Sequence, residues 1–332
     1  MVRSTKKRIL AAMLGVGLAF GGAAAQAAGP IKLRFAAAPT GSTWYAYAGA
    51  LRTAMLEGLP AGSAVDILTT PMAIANTKLL GAQRAEIGMI FPPVAAWAVQ
   101  GFGPFESKID NVRGLIGGMD QYYHRITVQK DSPIRSIADI KEKKIPVRIG
   151  TGPAGSLNEY IARLILAAND LTYEEIESYG GSIAKAGFEV LRDQFADKRL
   201  DMIIGITTAG HPNTAQLSIA PGQRFIGLSD KAIDYLAKYG FAPATMPAGM
   251  FEGQNEAVRG VGFTTSLYAS TAVSEEDAYA ITKAIMERRE NIKRAFGSME
   301  GWTVEGSAAP GNLGVPLHPG AAKYYKEIGV LK

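Results

Sequence analysis

The sequence predicts an α/β chain of two similar lobes, with parallel-rich sheets, helices on both sheet faces and a cleft between the lobes. Three observations predict it. Strand-like and helix-like segments alternate along most of the chain. The order β-α-β-α-β is written twice. Val112–Ser132, with two apolar strands, lies between the copies and Gln223–Asp230 follows the second, and they read as crossovers from one lobe to the other and back.

Arg3, Lys6, Lys7 and Arg8 precede an apolar run from Ile9 to Phe20, and Ala25-Gln26-Ala27 then fits a cleavage site for small residues. Residues 1–27 therefore read as a secretory signal peptide, and the mature chain is expected in the periplasm with no span of its own. Removing the four leader cations takes the net charge from +5 to +1, so the mature protein carries no basic excess that argues for nucleic acid or anionic lipid. Cysteine is absent, which excludes disulfides, thiol chemistry and Cys-ligated metal. Such a chain holds its fold by core burial alone, most naturally as two domains.

The first copy starts with Ile31–Ala37, an alternating strand, and continues with a helix-like run over Gly41–Leu59. Strand Ala64–Thr70, helix Met72–Gln83 and strand Ala85–Phe91 follow, and Val94–Gly101 opens another helix. Gly117-Gly118 separates two strands in the first crossover. In the second copy Lys144–Gly150 reads as a strand and Ser156–Asn169 as a helix, then Ile176–Ser182 as a strand and Ile183–Lys198 as a helix. Leu200–Thr207 is the third strand, and Gly210–Ser218 begins a helix. Val258–Thr271 reads as one strand, and Ser274 caps a helix whose apolar stripe is Ala278, Ile281, Ala284 and Ile285. Residues 28–120 and 227–332 are assigned to one lobe and 121–226 to the other.

Gly150, Gly152 and Gly155 spell G-x-G-x-x-G between a strand and a helix. A dinucleotide fingerprint also needs an acid at the tip of the next strand, and Ser178-Tyr179-Gly180-Gly181 offers none. The glycines can instead serve a tight strand-to-helix turn, or open a helix whose free N–H groups attract an anion. Thr40-Gly41-Ser42-Thr43 repeats that arrangement in the first copy, so two Gly-Ser helix starts are expected to face each other across the cleft. Candidate ligand contacts are Gly41, Ser42, Thr43, Trp44 and Tyr45 at the first start, and Gly152, Gly155, Ser156 and Asn158 at the second. Asn76 within a helix and Phe91, Thr207 and Thr208 at strand tips complete the set, with Arg125 as either a bidentate carboxylate clamp or a surface residue of the alternating strand "HRITVQK". A structural role is read for each histidine, His318 at a turn or in packing, with lining of the cleft as the alternative for His124 and His211, and no metal spacing links the three.

Several segments resemble the solute receptors of the tripartite ATP-independent periplasmic (TRAP) transporters, of the TAXI type. They are "PTGSTWYAYAGAL", "MAIANTKLL", "DSPIRSIADIKEKKIPVRIGTGPAGS", "MPAGMFEGQ" and "LHPGAAKYYKEIGV", the last being the most specific. The sequence departs from that pattern at Glu142, at Pro92-Pro93 and at Leu157-Asn158. The resemblance implies a monomeric two-lobed periplasmic binding protein, without catalysis or cofactor, that captures a small organic anion (a carboxylate or amino acid) and delivers it to a cation-coupled TRAP permease. A receptor of an ABC-type importer and a secreted α/β hydrolase using Ser42 or Ser156 remain as alternatives.

Overall fold

The computed structural model describes residues 29–332, and the segment read as a secretory leader lies outside them. The strands are β1 (Lys32–Ala36), β2 (Ala64–Leu68), β3 (Ile87–Ile90), β4 (Val112–Ile116), β5 (Tyr122–Gln129), β6 (Arg148–Thr151), β7 (Ser182–Lys185), β8 (Met202–Thr208), β9 (Gln223–Phe225), β10 (Ala242–Met246), β11 (Val258–Phe263) and β12 (Ser266–Ser270). The helices are α1 (Thr43–Gly58), α2 (Ala73–Gly81), α3 (Pro92–Gln100), α4 (Ile137–Lys143), α5 (Leu157–Ala167), α6 (Tyr173–Ser178), α7 (Phe188–Ala196), α8 (Pro212–Ile219), α9 (Asp230–Ala237), α10 (Glu275–Met286), α11 (Arg289–Ala295), α12 (Val304–Ala308) and α13 (Pro319–Glu327).

They form two sheets. The first runs β2-β1-β3-β12-β4; the second runs β10-β11-β5-β8-β6-β7, with β9 paired to β5. Each contains a parallel trio with its first strand in the middle, β2-β1-β3 and β7-β6-β8. The remaining pairings are antiparallel, so the sheets are mixed rather than parallel-rich. The expected twofold β-α-β-α-β order is present in the two trios. Their strands point the same loops, those running from strand to helix, at one crevice.

Two local readings change. Ile176–Ser182 is not a strand, because Thr172 caps a helix there and Glu175 bonds back to the cap, forming a capping box. The strand comes later, at Ser182–Lys185, inside what reads as one long helix. Val258–Thr271 is likewise two strands in different sheets, broken at Thr264-Thr265. The return crossover therefore lies between Phe263 and Ser266, not near Gly227, and β10 and β11 extend the second sheet. The unbroken run of β-formers hides this break, since propensity does not report which sheet a strand joins.

Helix α1 shows why these residues make this fold. Trp44, Tyr47, Ala48, Leu51, Ala54 and Met55 recur at helical spacing and are buried against the first sheet. Burying one such large side chain stabilises by about 1.5–3 kcal/mol. At the opposite end of the chain His318 caps α13, its Nδ1 accepting the Gly320 N–H, while a Cβ on Gly320 would lie 2.0 Å from the Glu275 carbonyl of α10. The "LHPG" signature is thus a cap and a close helix contact.

The two crossovers lie side by side. Met119 N–H donates to the Thr265 carbonyl at 3.0 Å, and Thr265 N–H donates to Asp120 Oδ1 at 2.8 Å. Trp44 Nε1 donates to Thr265 Oγ1 at 2.9 Å from α1. Phe91 packs at 4.5 Å from both Trp44 and Phe263, so an aromatic cluster lies beneath the paired crossovers.

Candidate functional site

A cavity of about 340 Å³ opens between the lobes. The first lobe contributes Pro39, Thr40, Gly41 and Ser42 before α1, and Pro71 and Met72 before α2. The second contributes Gly152, Pro153, Ser156 and Asn158 around the start of α5, residues 186–190 at the start of α7, and His211, Pro212 and Asn213 at the start of α8. Five helix N-termini therefore border one space, each with first-turn N–H groups that lack intrahelical acceptors.

Ser42 and Ser156 are both N-caps. Ser42 Oγ accepts the Tyr45 N–H at 3.2 Å and donates to the Pro39 carbonyl at 2.6 Å. Ser156 Oγ accepts the Glu159 N–H at 3.3 Å. The three glycines of the motif do three different things. A Cβ on Gly150 would lie 2.7 Å from Leu200, and one on Gly152 would lie 2.5 Å from both Ser156 Oγ and Asn158 Cβ. Gly155 has φ +75° with open space around it, so only its backbone conformation demands glycine. At the tip of β7 stands Lys185, where a dinucleotide site would need an acid.

Of the remaining sequence candidates, Trp44 and Phe91 lie in the aromatic cluster under the crossovers rather than along the cavity. Asn76 is buried and bonds Thr70, Ala37 and Met89. It supports the cleft indirectly, because Thr70 Oγ1 accepts the Met72 N–H at 3.1 Å. Thr43 and Tyr45 are half-buried in the first turns of α1, outside the lining. Thr207 Oγ1 bonds Thr214 Oγ1 and Thr208 Oγ1 donates to the Gln121 carbonyl, both behind the cavity wall. Asn158 lines the cavity while its Oδ1 accepts the Ile206 N–H at 2.9 Å, locking α5 onto β8.

Arg125 does not line the cleft. It is 3% exposed on β5, and its Nη1 donates to Thr214 Oγ1 at 2.9 Å in the first turn of α8. Its Nε has no hydrogen-bond partner, and among the described residues no carboxylate pairs with it. Burial lowers its pKa only to about 10, so it stays charged at neutral pH. His211, which caps α8 through Nδ1, is held down to about 3, first by burial and then by the nearby Arg125 charge; it is neutral. A buried cation thus stands beneath a helix end that is already positive, with no acid to offset it. Among the cavity-lining residues the single charged side chain is Glu189, exposed at the start of α7.

Sequence reasoning missed Met72, Phe188 and Val190 as cavity walls, while His211 at the start of α8 does line the cavity, the alternative left open for it. Met72 has φ 71° and ψ −155°, a region favoured by glycine, and nothing in the sequence signals that. Phe188 was hidden inside the over-long helix; the Gly187 that caps α7 was its one visible signal. The serine–histidine bond that a hydrolase requires is not made: His124 Nε2 faces the Ile226 carbonyl, His318 lies at α13, and His211 Nδ1 turns to Thr214. No cluster of metal-binding side chains occurs among the described residues, and no helix among them is long and apolar enough to cross a membrane.

A family model described as the NMT1-like family matches residues 35–329. Among solved structures, MatC from Rhodopseudomonas palustris with bound malate is 12% identical, with 90% of this chain and 97% of that chain covered and a TM-score of 0.54. The periplasmic binding protein BugD is 13% identical, with coverage of 91% and 98% and a TM-score of 0.52. A protein of Xanthomonas citri bound to chloride ion is 12% identical, with coverage of 90% and 97% and a TM-score of 0.50. The architecture is that of the two-lobed periplasmic binding protein fold.

Proposed function

The chain belongs to the NMT1-like family, and from that premise we propose that it is a periplasmic receptor that captures a small organic anion between its lobes. One observation carries the anion: Arg125, buried and paired with no acid among the described residues, lies under the start of α8. A ligand carboxylate supplies the missing negative charge, and the free N–H groups of several helix starts bind it without a cationic side chain in the cavity. Gly41, Ser42, Gly152, Ser156 and Asn158 are the direct contacts in this reading. Thr43, Tyr45 and Gly155 shape the two loops; Trp44, Asn76 and Phe91 hold them in place. Arg125, Thr207 and Thr208 act from behind the wall. That MatC is described with malate and the Xanthomonas citri protein with chloride accords with an anion site.

The lobes close about the paired crossovers and present the loaded receptor to a membrane permease. The sequence resemblance, "LHPGAAKYYKEIGV" above all, favours a cation-coupled TRAP permease of the TAXI type. An ABC-type importer is the competing partner. Thermal unfolding of the ligand-stripped mature protein against carboxylates, amino acids and neutral solutes tests the receptor. A ligand at a hundred times its dissociation constant adds about 2.7 kcal/mol and raises the midpoint by several degrees. A shift by neutral solutes alone removes the anion reading. Uptake in cells that stops with a protonophore, while ATP is maintained, supports the cation-coupled partner; uptake that follows ATP alone replaces it.

A further inference from the structure

Resting on the receptor reading above, we infer that the ligand is an organic monoanion with an apolar body, such as a branched or aromatic monocarboxylate, rather than a dicarboxylate or an amino acid. The walls supply the first argument. Pro39, Pro71, Met72, Phe188, Val190 and Pro212 border the cavity from both lobes. Val190 is 50% exposed although it sits at a helix start over the cleft, and Phe188 is only half-buried, set edge-on to His211 at 5.2 Å. Apolar side chains left open over a concave site lose water when an apolar solute enters.

The charges supply the second argument. The one side-chain cation argued for the site belongs to the second lobe, where Arg125 reaches the first turn of α8 and leaves its Nε unpartnered at 3% exposure. The first lobe brings no charged side chain to the cavity, and Glu189 adds a negative one. One anionic head is therefore matched by a side-chain cation, while a second carboxylate at the first-lobe helix starts would find none and would add to the negative charge of Glu189 beside proline and methionine walls. An α-ammonium would face Glu189, but Glu189 is open to solvent, where such a pair is screened, and ammonium hydration would be lost against the apolar wall.

Calorimetric titration of the ligand-stripped mature chain distinguishes the possibilities, using straight-chain acids from acetate to hexanoate, 4-methylpentanoate, phenylacetate, 4-methylpentanamide, leucine and malate. The expected result is that affinity rises about fourfold per added methylene, that 4-methylpentanoate exceeds leucine and malate at least tenfold, and that the amide does not bind. Val190→Ser and Phe188→Ser should flatten the dependence on chain length, and for the exposed Val190 the unfolding midpoint should stay within about a degree or two, as expected for a surface change. Malate or leucine binding more tightly than 4-methylpentanoate overturns the inference and leaves the receptor reading standing. Equal binding of the amide overturns both the inference and the anion argument. Silence from every arm overturns the inference and the receptor reading together. An unchanged chain-length dependence in both variants removes the apolar wall from the account.

Discussion

Asp120 Oδ1 accepts the Thr265 N–H at 2.8 Å, so a carboxylate in one crossover holds the backbone of the other. Asp120 is buried and its Oδ2 has no partner. Tyr47 from α1, Tyr122 on the adjoining strand and Thr265 are the groups that face it, and none is a cation. Desolvation therefore raises its pKa to about 6 from 3.8. A raised carboxylate contributes most favourably below its unfolded pKa, and that contribution is lost as pH rises through the folded value. The loss amounts to roughly 3 kcal/mol by pH 7. His124 and His211, held neutral by burial to about 4 and about 3, act in the opposite sense below pH 6.5. Asp120→Asn keeps an acceptor for Thr265 and removes the charge. Its stability advantage over the natural protein should be largest at pH 7 and shrink towards pH 4 in parallel denaturant titrations. A pH-independent difference would mean that Asp120 does not titrate in this range.

Arg125→Met separates stability from binding. Exchanging an unpaired buried cation for an apolar chain of similar length should leave the protein as stable as before, or up to about 2 kcal/mol more stable. Anion affinity should fall at least tenfold. Unfolding and titration on the same sample decide it, and retained affinity would exclude Arg125 from recognition.

The cap of α5 can be separated from its contact with ligand. Ser156→Ala should cost about 1 kcal/mol of stability, while Ser156→Gly should cost only a few tenths. Both lose the same hydroxyl, so both should lose affinity equally. Affinity that instead follows stability would make Ser156 a scaffold residue.

Two glycines of one motif should fail differently. In Gly152→Ala the new methyl meets Ser156 Oγ and Asn158 Cβ at 2.5 Å, which displaces the first turn of α5 and costs about 1–3 kcal/mol. Affinity should drop more than tenfold. Gly155→Ala meets no neighbour but is strained at φ +75°, costing about 1–2 kcal/mol. Its affinity should stay within about threefold once the protein is folded, since the lining is untouched and 1.4 kcal/mol is needed for a tenfold change. Equal losses of affinity would contradict the different roles assigned to the two positions.

The paired helix starts were legible because Gly-Ser after a strand is a local signal, carried by Ser42 and Ser156 themselves. The two-sheet plan was legible from alternation. The second crossover was not, because Thr264-Thr265 looks like more strand and its place between the sheets depends on partners such as Trp44 and Asp120, distant in sequence. Arg125 was visible as a cation, but its depth below Thr214 depends on the pairing of β5 with β8. The capping box at Thr172 and Glu175 is written in the sequence, but Ile176 and Tyr179 beside Gly180-Gly181 equally resemble a short strand running into a turn.

Strand β12 lies between β3 and β4 in the first sheet, although some 150 residues, the whole second sheet among them, separate it from β4 in the chain. A polypeptide emerging N-terminus first therefore completes the inserted lobe while its host is still missing a central strand. Until Ser266–Ser270 arrives, the facing edges of β3 and β4 stay open, and such edges invite association with other chains. Assembly should thus run from the inside of the sequence outwards. Pulse-labelled amide exchange during refolding should show β6 and β8 protected before β3 and β4; simultaneous protection of both sheets would refute that order.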